Sequence, residues 1–173
     1  FTSSVRRAFF NVLPSATMNY SFSDQSNLRV FYRTSTRAPS ISQLQNVVDN
    51  SNPLLLSTGN PNLKQSFSHS LVSRYSVTSA ERSQSTFFLL SLTYTGDYIG
   101  SASVTAVHDT VGIGGVALNR STQLSYPTNL DGYWNMRTFF THGFPLEFAS
   151  SNLNVNVGYT YSRTPGLVNN ARN

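Results

Sequence analysis

The chain has 173 residues, with 12 basic and 7 acidic side chains, a net charge of +5 and no cysteine; that is enough for one domain with a sizeable core. Only 11% of residues are charged while aromatics reach 13%, which excludes intrinsic disorder, since disorder goes with few aromatics and high net charge. No run of apolar residues is long enough for a helical membrane span, and the lack of cysteine excludes disulfide frameworks and thiolate metal sites.

In chain order, the first element is an alternation from Pro14 to Phe22, with Ala16, Met18, Tyr20 and Phe22 opposed to Ser15, Thr17, Asn19 and Ser21. A period of two predicts a strand between unlike solvents. Asp24-Gln25-Ser26-Asn27 reads as a tight turn, and Leu28, Val30 and Tyr32 alternate with Arg29, Phe31 and Arg33 on the return strand. From about 36 to 65 the pattern breaks amid Pro39, Pro53, Gly59 and Pro61, predicting a long loop. Its Leu54-Leu55-Leu56 run is expected to tuck into a small core within the loop. Strands follow at Ser66–Val77 and Thr86–Tyr98, joined by a short turn through Ser79-Ala80-Glu81-Arg82-Ser83-Gln84. A second long, Gly-rich loop covers about 96 to 131, with Val104 or Val116 as candidates for strand extensions. Tyr133–Thr141 is the fifth strand, and a connection through His142-Gly143-Phe144-Pro145 leads to Ser151.

The sixth strand has the cleanest pattern: Leu153, Val155, Val157, Tyr159 and Tyr161 against Asn152, Asn154, Asn156, Gly158 and Thr160. A third loop starts at 164. Ser, Thr and Asn form about a third of the chain, and they, rather than Lys and Glu, make the polar faces. Six strands with connections alternating short and long, apolar on one face and uncharged polar on the other, predict an all-β, antiparallel up-and-down meander that is part of a larger transmembrane β-barrel. Alternation also reconciles membrane residence with a mean hydropathy of -0.22. No helix is expected.

The segment Tyr32-Arg33-Thr34-Ser35-Thr36-Arg37-Ala38-Pro39, continuing through Asn52-Pro53 to Gly59-Asn60-Pro61-Asn62-Leu63-Lys64, resembles the C-terminal barrel region of TonB-dependent receptor-like outer-membrane proteins of Bacteroidetes type, the outer membrane protein beta-barrel family. Asn11-Val12-Leu13-Pro14-Ser15-Ala16 adds to it, and the likeness runs over roughly residues 9 to 165. It implies a Gram-negative outer-membrane receptor or transporter for nutrient uptake (glycan, peptide or siderophore-like), with a complete barrel of about 22 strands. It also implies outer-membrane lipid, a plug domain of the same parent chain, the TonB complex and a surface lipoprotein as partners. The start at Phe1-Thr2-Ser3-Ser4 and the absence of a final aromatic lead us to expect an internal slice of a longer precursor, whose signal peptide lies outside it.

On physical grounds Pro39 fixes its own φ and forces Ala38 to be extended, which ends ladder pairing. Gly59-Asn60-Pro61 is expected to supply a turn before the chain re-enters the wall. Together Arg37, Ala38, Pro39, Asn52, Pro53, Gly59, Asn60 and Pro61 form a loop motif for which turn chemistry is a sufficient reason, ahead of ligand contact.

Arg29, Arg33 and Arg37 share one parity, assigned to the lumen. They are expected to be simply solvated in a wide lumen, or to line a solute path or pair with plug carboxylates. Tyr20, Phe22, Tyr32, Phe88, Tyr94, Trp134, Phe140, Tyr159 and Tyr161 are assigned to the outward face and its aromatic girdles.

No catalytic, cofactor or metal residues are expected. His69, His108 and His142 have no metal-ligand spacing, and no G-x-S-x-G elbow or P-loop occurs. Beyond Arg6-Arg7 the basic residues are scattered, so nucleic acid is not an expected partner. The rival readings are a soluble β-sandwich or adhesin-like binding module and, more remotely, a secreted glycan-active enzyme. In isolation the segment is expected to self-associate through its apolar face.

Overall fold

The computed structural model describes residues 10–172; the Arg6-Arg7 pair lies outside them. Two sheets organise the chain. The larger, the wall, has six antiparallel strands: β1 (Ser15–Ser23), β2 (Ser26–Arg37), β4 (Ser66–Ser79), β5 (Gln84–Gly96), β10 (Tyr133–Leu146) and β11 (Ser151–Arg163). Their order is β1-β2-β4-β5-β10-β11, each strand beside its predecessor in the meander. The sheet is open, with β1 and β11 at its edges. These are the six expected strands, several of them longer. The β1–β2 turn narrows to Asp24-Gln25 beside an irregularity at Ser21–Ser23. The connection expected from His142 to Ser151 shrinks to four residues, because Thr86 to Ser85 of β5 continue to pair with His142 and Gly143. Ser150 closes that turn in the left-handed region, its N–H donating to the Glu147 carbonyl at 3.3 Å.

Apart from the irregularity at Ser21–Ser23, continuous register carries parity across all six strands. One cross-strand row runs Met18–Val30–Ser73–Leu90–Thr138–Tyr159, and the next Ala16–Tyr32–Leu71–Leu92–Met136–Tyr161. The opposite face carries Asn19–Arg29–Arg74–Leu89–Phe139–Gly158 and Ser15–Arg33–Ser70–Thr93–Asn135–Ser162. All nine aromatic residues assigned outward lie on the apolar face. That face is uncovered: Met18 is 50% exposed, Tyr20 54% and Val157 57%. A soluble sandwich would bury it between sheets, so that reading is set aside.

The polar face satisfies itself across strands, through Ser68–Thr95 at 2.8 Å, Thr141 to Asn156 at 2.8 Å and Ser76 to Asn27 at 3.0 Å. Hydroxyls and amides paired in this way need no charge to remain solvated.

The second sheet corrects the loop assignments. The segments 36–65, 96–131 and 164 onward contain strands β3 (Leu55–Ser57), β6 (Tyr98–Thr105), β7 (Thr110–Val111), β8 (Ala117–Leu118), β9 (Gln123–Leu130), β12 (Leu167–Val168) and β13 (Ala171–Arg172). Five of these join in the order β13-β12-β6-β9-β3. A one-turn helix, α1 (Ile41–Leu44), also occurs where none was expected; Ser40 and Gln43 form a capping box at its start.

The tightly packed core belongs to this cap. Leu63 and Leu124 are fully buried, and Ala106, Val116, Leu118 and Leu124 cluster together with Leu56 packed against them. Only Leu56 of the Leu54-Leu55-Leu56 run joins this core; Leu54 and Leu55 are exposed. Val104 falls within β6, whereas Val116 is a buried residue between a 3-10 turn and β8. The loops were misread because five of their seven strands are only two or three residues long, too short to show a period, while Gly100 in β6 and Pro127 in β9 read as loop signals.

Candidate functional site

All three short turns lie at one end of the wall, and the long connections lie at the other. There the connections fold into one cap. Asn60 is 8% exposed and ties it together: its side-chain amide donates to the Pro127 carbonyl at 3.1 Å, its side-chain oxygen accepts from the Asn62 N–H at 3.0 Å, and its own N–H reaches the Gln43 carbonyl.

Gly59 sits where a Cβ would overlap the Gln45 carbonyl oxygen and crowd those of Gln43 and Ser42. Its contribution is close backbone approach, and the expected turn follows directly, with the Leu63 N–H donating to the Asn60 carbonyl at 3.3 Å. Asn129 then clamps the strand start, accepting from the Lys64 N–H at 2.8 Å and donating to the carbonyls of Lys64 (3.0 Å) and Asp97 (2.8 Å). Asn52 caps the turn at Pro53, its side chain accepting from the Leu54 N–H at 3.0 Å. Strand β2 stops at Arg37, immediately before Ala38-Pro39, as proline's missing donor requires.

Nearby, the Ser51 hydroxyl and backbone N–H hold the exposed Asp49 carboxyl below its ordinary pKa. Stabilising the charged form in this way favours the local turn above the ordinary carboxylate range, an effect lost as pH falls through the lowered value.

A groove of about 880 Å³ opens on the cap. Gln43 from the helical turn, Ser57 from β3, Ser101 from β6, Ser125 and Tyr126 from β9 and Leu167 from β12 line it. Among the described residues no charged side chain lines it. The serines share the face of the cap sheet opposite its core, because Ser57 pairs Ser125 and Ser103 pairs Ser125 in register. Hydroxyls, an amide, a phenol and apolar edges make a surface suited to uncharged hydrogen-bonding ligands.

On the wall, Arg29, Arg33 and Arg37 project from the polar face and are exposed. Register adds two arginines that the sequence reading missed. Arg74 stands directly opposite Arg29, and Arg137 faces Ser91. The signal was available as parity: Arg74 alternates with the apolar positions Leu71, Tyr75 and Val77 of its strand. Arg37 is separate from the others, paired with Ser66 at the cap end.

Two histidines belong to the apolar face. His69 Nδ1 bonds the Tyr32 hydroxyl at 2.8 Å, amid Phe67 and Tyr94; His142 Nδ1 bonds Thr86 at 2.9 Å, between Phe140 and Phe144. His108 lies in the cap. Among the described residues no three metal-ligating side chains come together.

The apolar face carries two aromatic bands. Tyr32, Phe67, Tyr94 and Trp134 lie toward the cap, with Tyr94 and Trp134 rings 4.8 Å apart. Toward the short turns lie Phe22, Tyr75, Phe88, Phe140 and Phe144. Aliphatic Val30, Leu71, Leu90 and Leu92 fill the space between. Ten residues of β10 separate Trp134 from Phe144, about 34 Å along a strand. A tilt of about 40° reduces this to about 26 Å, the height of an outer-membrane apolar band.

No curated protein matches the sequence. The family model described as "Outer membrane protein beta-barrel family" matches residues 2–173. Open six-stranded wall, paired aromatic bands and a polar, arginine-bearing inner face agree with that match, and the chain belongs to the outer membrane protein beta-barrel family.

Proposed function

We propose that this outer-membrane chain is the wall and part of the external cap of a TonB-dependent receptor that takes up a nutrient, of glycan, peptide or siderophore-like class. The observation that carries this reading is the cap itself. All three long connections fold into one sheet with its own core and an 880 Å³ groove at one end of the wall. A passive pore needs only flexible loops at its mouth; a capture site needs fixed ones, because ordering on binding costs affinity.

In this reading the segment performs no chemistry. The strands close a hydrogen-bonded wall against lipid, the cap captures ligand, and a plug domain of the parent chain together with the TonB complex supplies energy coupling. A surface lipoprotein is a further partner, seated over the cap.

The test uses cells that make the full-length protein, supplied in turn with a labelled oligosaccharide, a labelled peptide and a ferric siderophore. Accumulation of at least one, abolished by deleting TonB, is the expected result. Accumulation that is indifferent to TonB, or none with any of the three, overturns the proposal.

A further inference from the structure

We infer that the furrow between Arg33 and Arg74, on the lumenal face of the wall, binds a small multivalent anion bearing carboxylate or phosphate groups. The inference rests on the wall's orientation in the membrane and not on energy coupling or the cap.

The first observation is a charge imbalance. Arg29, Arg33, Arg37, Arg74 and Arg137 project from this face, and none of the chain's seven carboxylates falls in a wall strand. Asp24, Glu81 and Glu147 are in the short turns; Asp49, Asp97, Asp109 and Asp131 are in the cap connections.

The second is register. Arg29 and Arg74 stand directly opposite one another, a like-charge pair that destabilises a sheet when nothing lies between the charges. The neighbouring rows of the same face set no two charges opposite one another: Phe31 faces Val72, Arg33 faces Ser70 and Asn27 faces Ser76. An anion near the pair changes repulsion into two charge-assisted contacts.

The third is shape. Beside this pair is a furrow of about 440 Å³, lined by Phe31, Arg33, Ser70, Val72, Arg74, Ser91 and Thr93, a volume in the range of small-molecule sites. Two guanidinium forks flank a floor of hydroxyls, with Phe31 and Val72 as its apolar part. Arginine presents paired N–H donors that match carboxylate and phosphate oxygens. Ser70 and Thr93 share one hydroxyl bond at 3.4 Å, which leaves the second hydroxyl proton of the pair free to donate to a ligand. The furrow spans only β2, β4 and β5, about 10 Å at the usual strand spacing. That width suits a compact solute, so a mobile anion is the occupant we assign.

The experiment titrates citrate into the purified full-length protein in detergent, followed by calorimetry, with the corresponding neutral triamide as control. Citrate is expected to bind, more weakly as salt rises, and the triamide to show no binding. Arg33→Gln combined with Arg74→Gln is expected to weaken citrate by about tenfold or more. Arg74→Lys alone, which keeps the charge but not the fork, falls between. Arg82→Gln removes one positive charge from a short turn, outside the furrow, and leaves affinity unchanged. Gel mobility of unheated samples reports barrel folding, and if the double variant fails to fold, Arg74→Lys against Arg82→Gln decides. No binding to the unaltered protein overturns the site, assigning the furrow to a tethered carboxylate or to water. Equal binding by Arg74→Lys and the unaltered protein, or equal losses in Arg82→Gln and the furrow variants, overturns it as well.

Discussion

At the scale of single residues, the most constrained position is Gly59. Its place against three carbonyl oxygens of the α1 turn leaves no room for a side chain, and the next residue, Asn60, donates one of the bonds that join the first long connection to β9. Gly59→Ala is expected to cost about 1–3 kcal/mol, as overpacking of close-fitted groups does, and to loosen the cap without disturbing the wall. Limited proteolysis of the full-length protein in membranes checks this: cleavage within 36–65 should appear in the variant and be absent from the unaltered protein. An unchanged digest would mean that the close approach is not needed. Turn chemistry made Pro39 and Pro53 readable from sequence. The turn through Asn60-Pro61 was readable in the same way, but the close approach at Gly59 was not, because contact with distant backbone leaves no local trace.

Among the elements, the two faces of each wall strand are the decisive feature. Leu90 and Ser91 are adjacent in β5, yet Leu90 lies in the central row of the apolar face and Ser91 lines the furrow on the other. Leu90→Arg is expected to cost about 2–4 kcal/mol, the penalty for a cation at the bilayer midplane. Ser91→Arg, into the water-filled interior, should cost much less. Denaturant unfolding of the full-length protein in lipid vesicles measures both. Similar costs for the two would contradict the assignment of faces. The wall strands were legible because they run for nine residues or more between clear turn signals, whereas most cap strands have only two or three residues and the eight-residue β6 and β9 are interrupted by Gly100 and Pro127. Parity likewise made Arg29, Arg33 and Arg37 readable as one row, but joining Arg74 and Arg137 to them required the register between strands.

For the molecule as a whole, six strands leave two open edges, at β1 and β11, and an uncovered apolar face. In water such a sheet has no means of hiding either. The segment of residues 1–173, produced alone, is expected to associate, seen as a large scattering species at micromolar concentration that disperses in detergent. A stable monomer without detergent would show that the apolar face finds cover within the chain. The packed core of the cap, built from Leu63, Leu118 and Leu124, does not change this expectation, since it leaves Met18, Tyr20 and Val157 of the wall exposed.

By itself the sequence determined the strand count of the wall, the identity of its apolar face and the end at which the long connections lie. These follow from period and turn chemistry, which are local. Only the tertiary structure decided that the long connections are a folded cap with a groove, and that arginines from three strands meet on one face. Both depend on which residues distant in the chain are brought side by side, and a strand's own pattern carries no record of its neighbour's register.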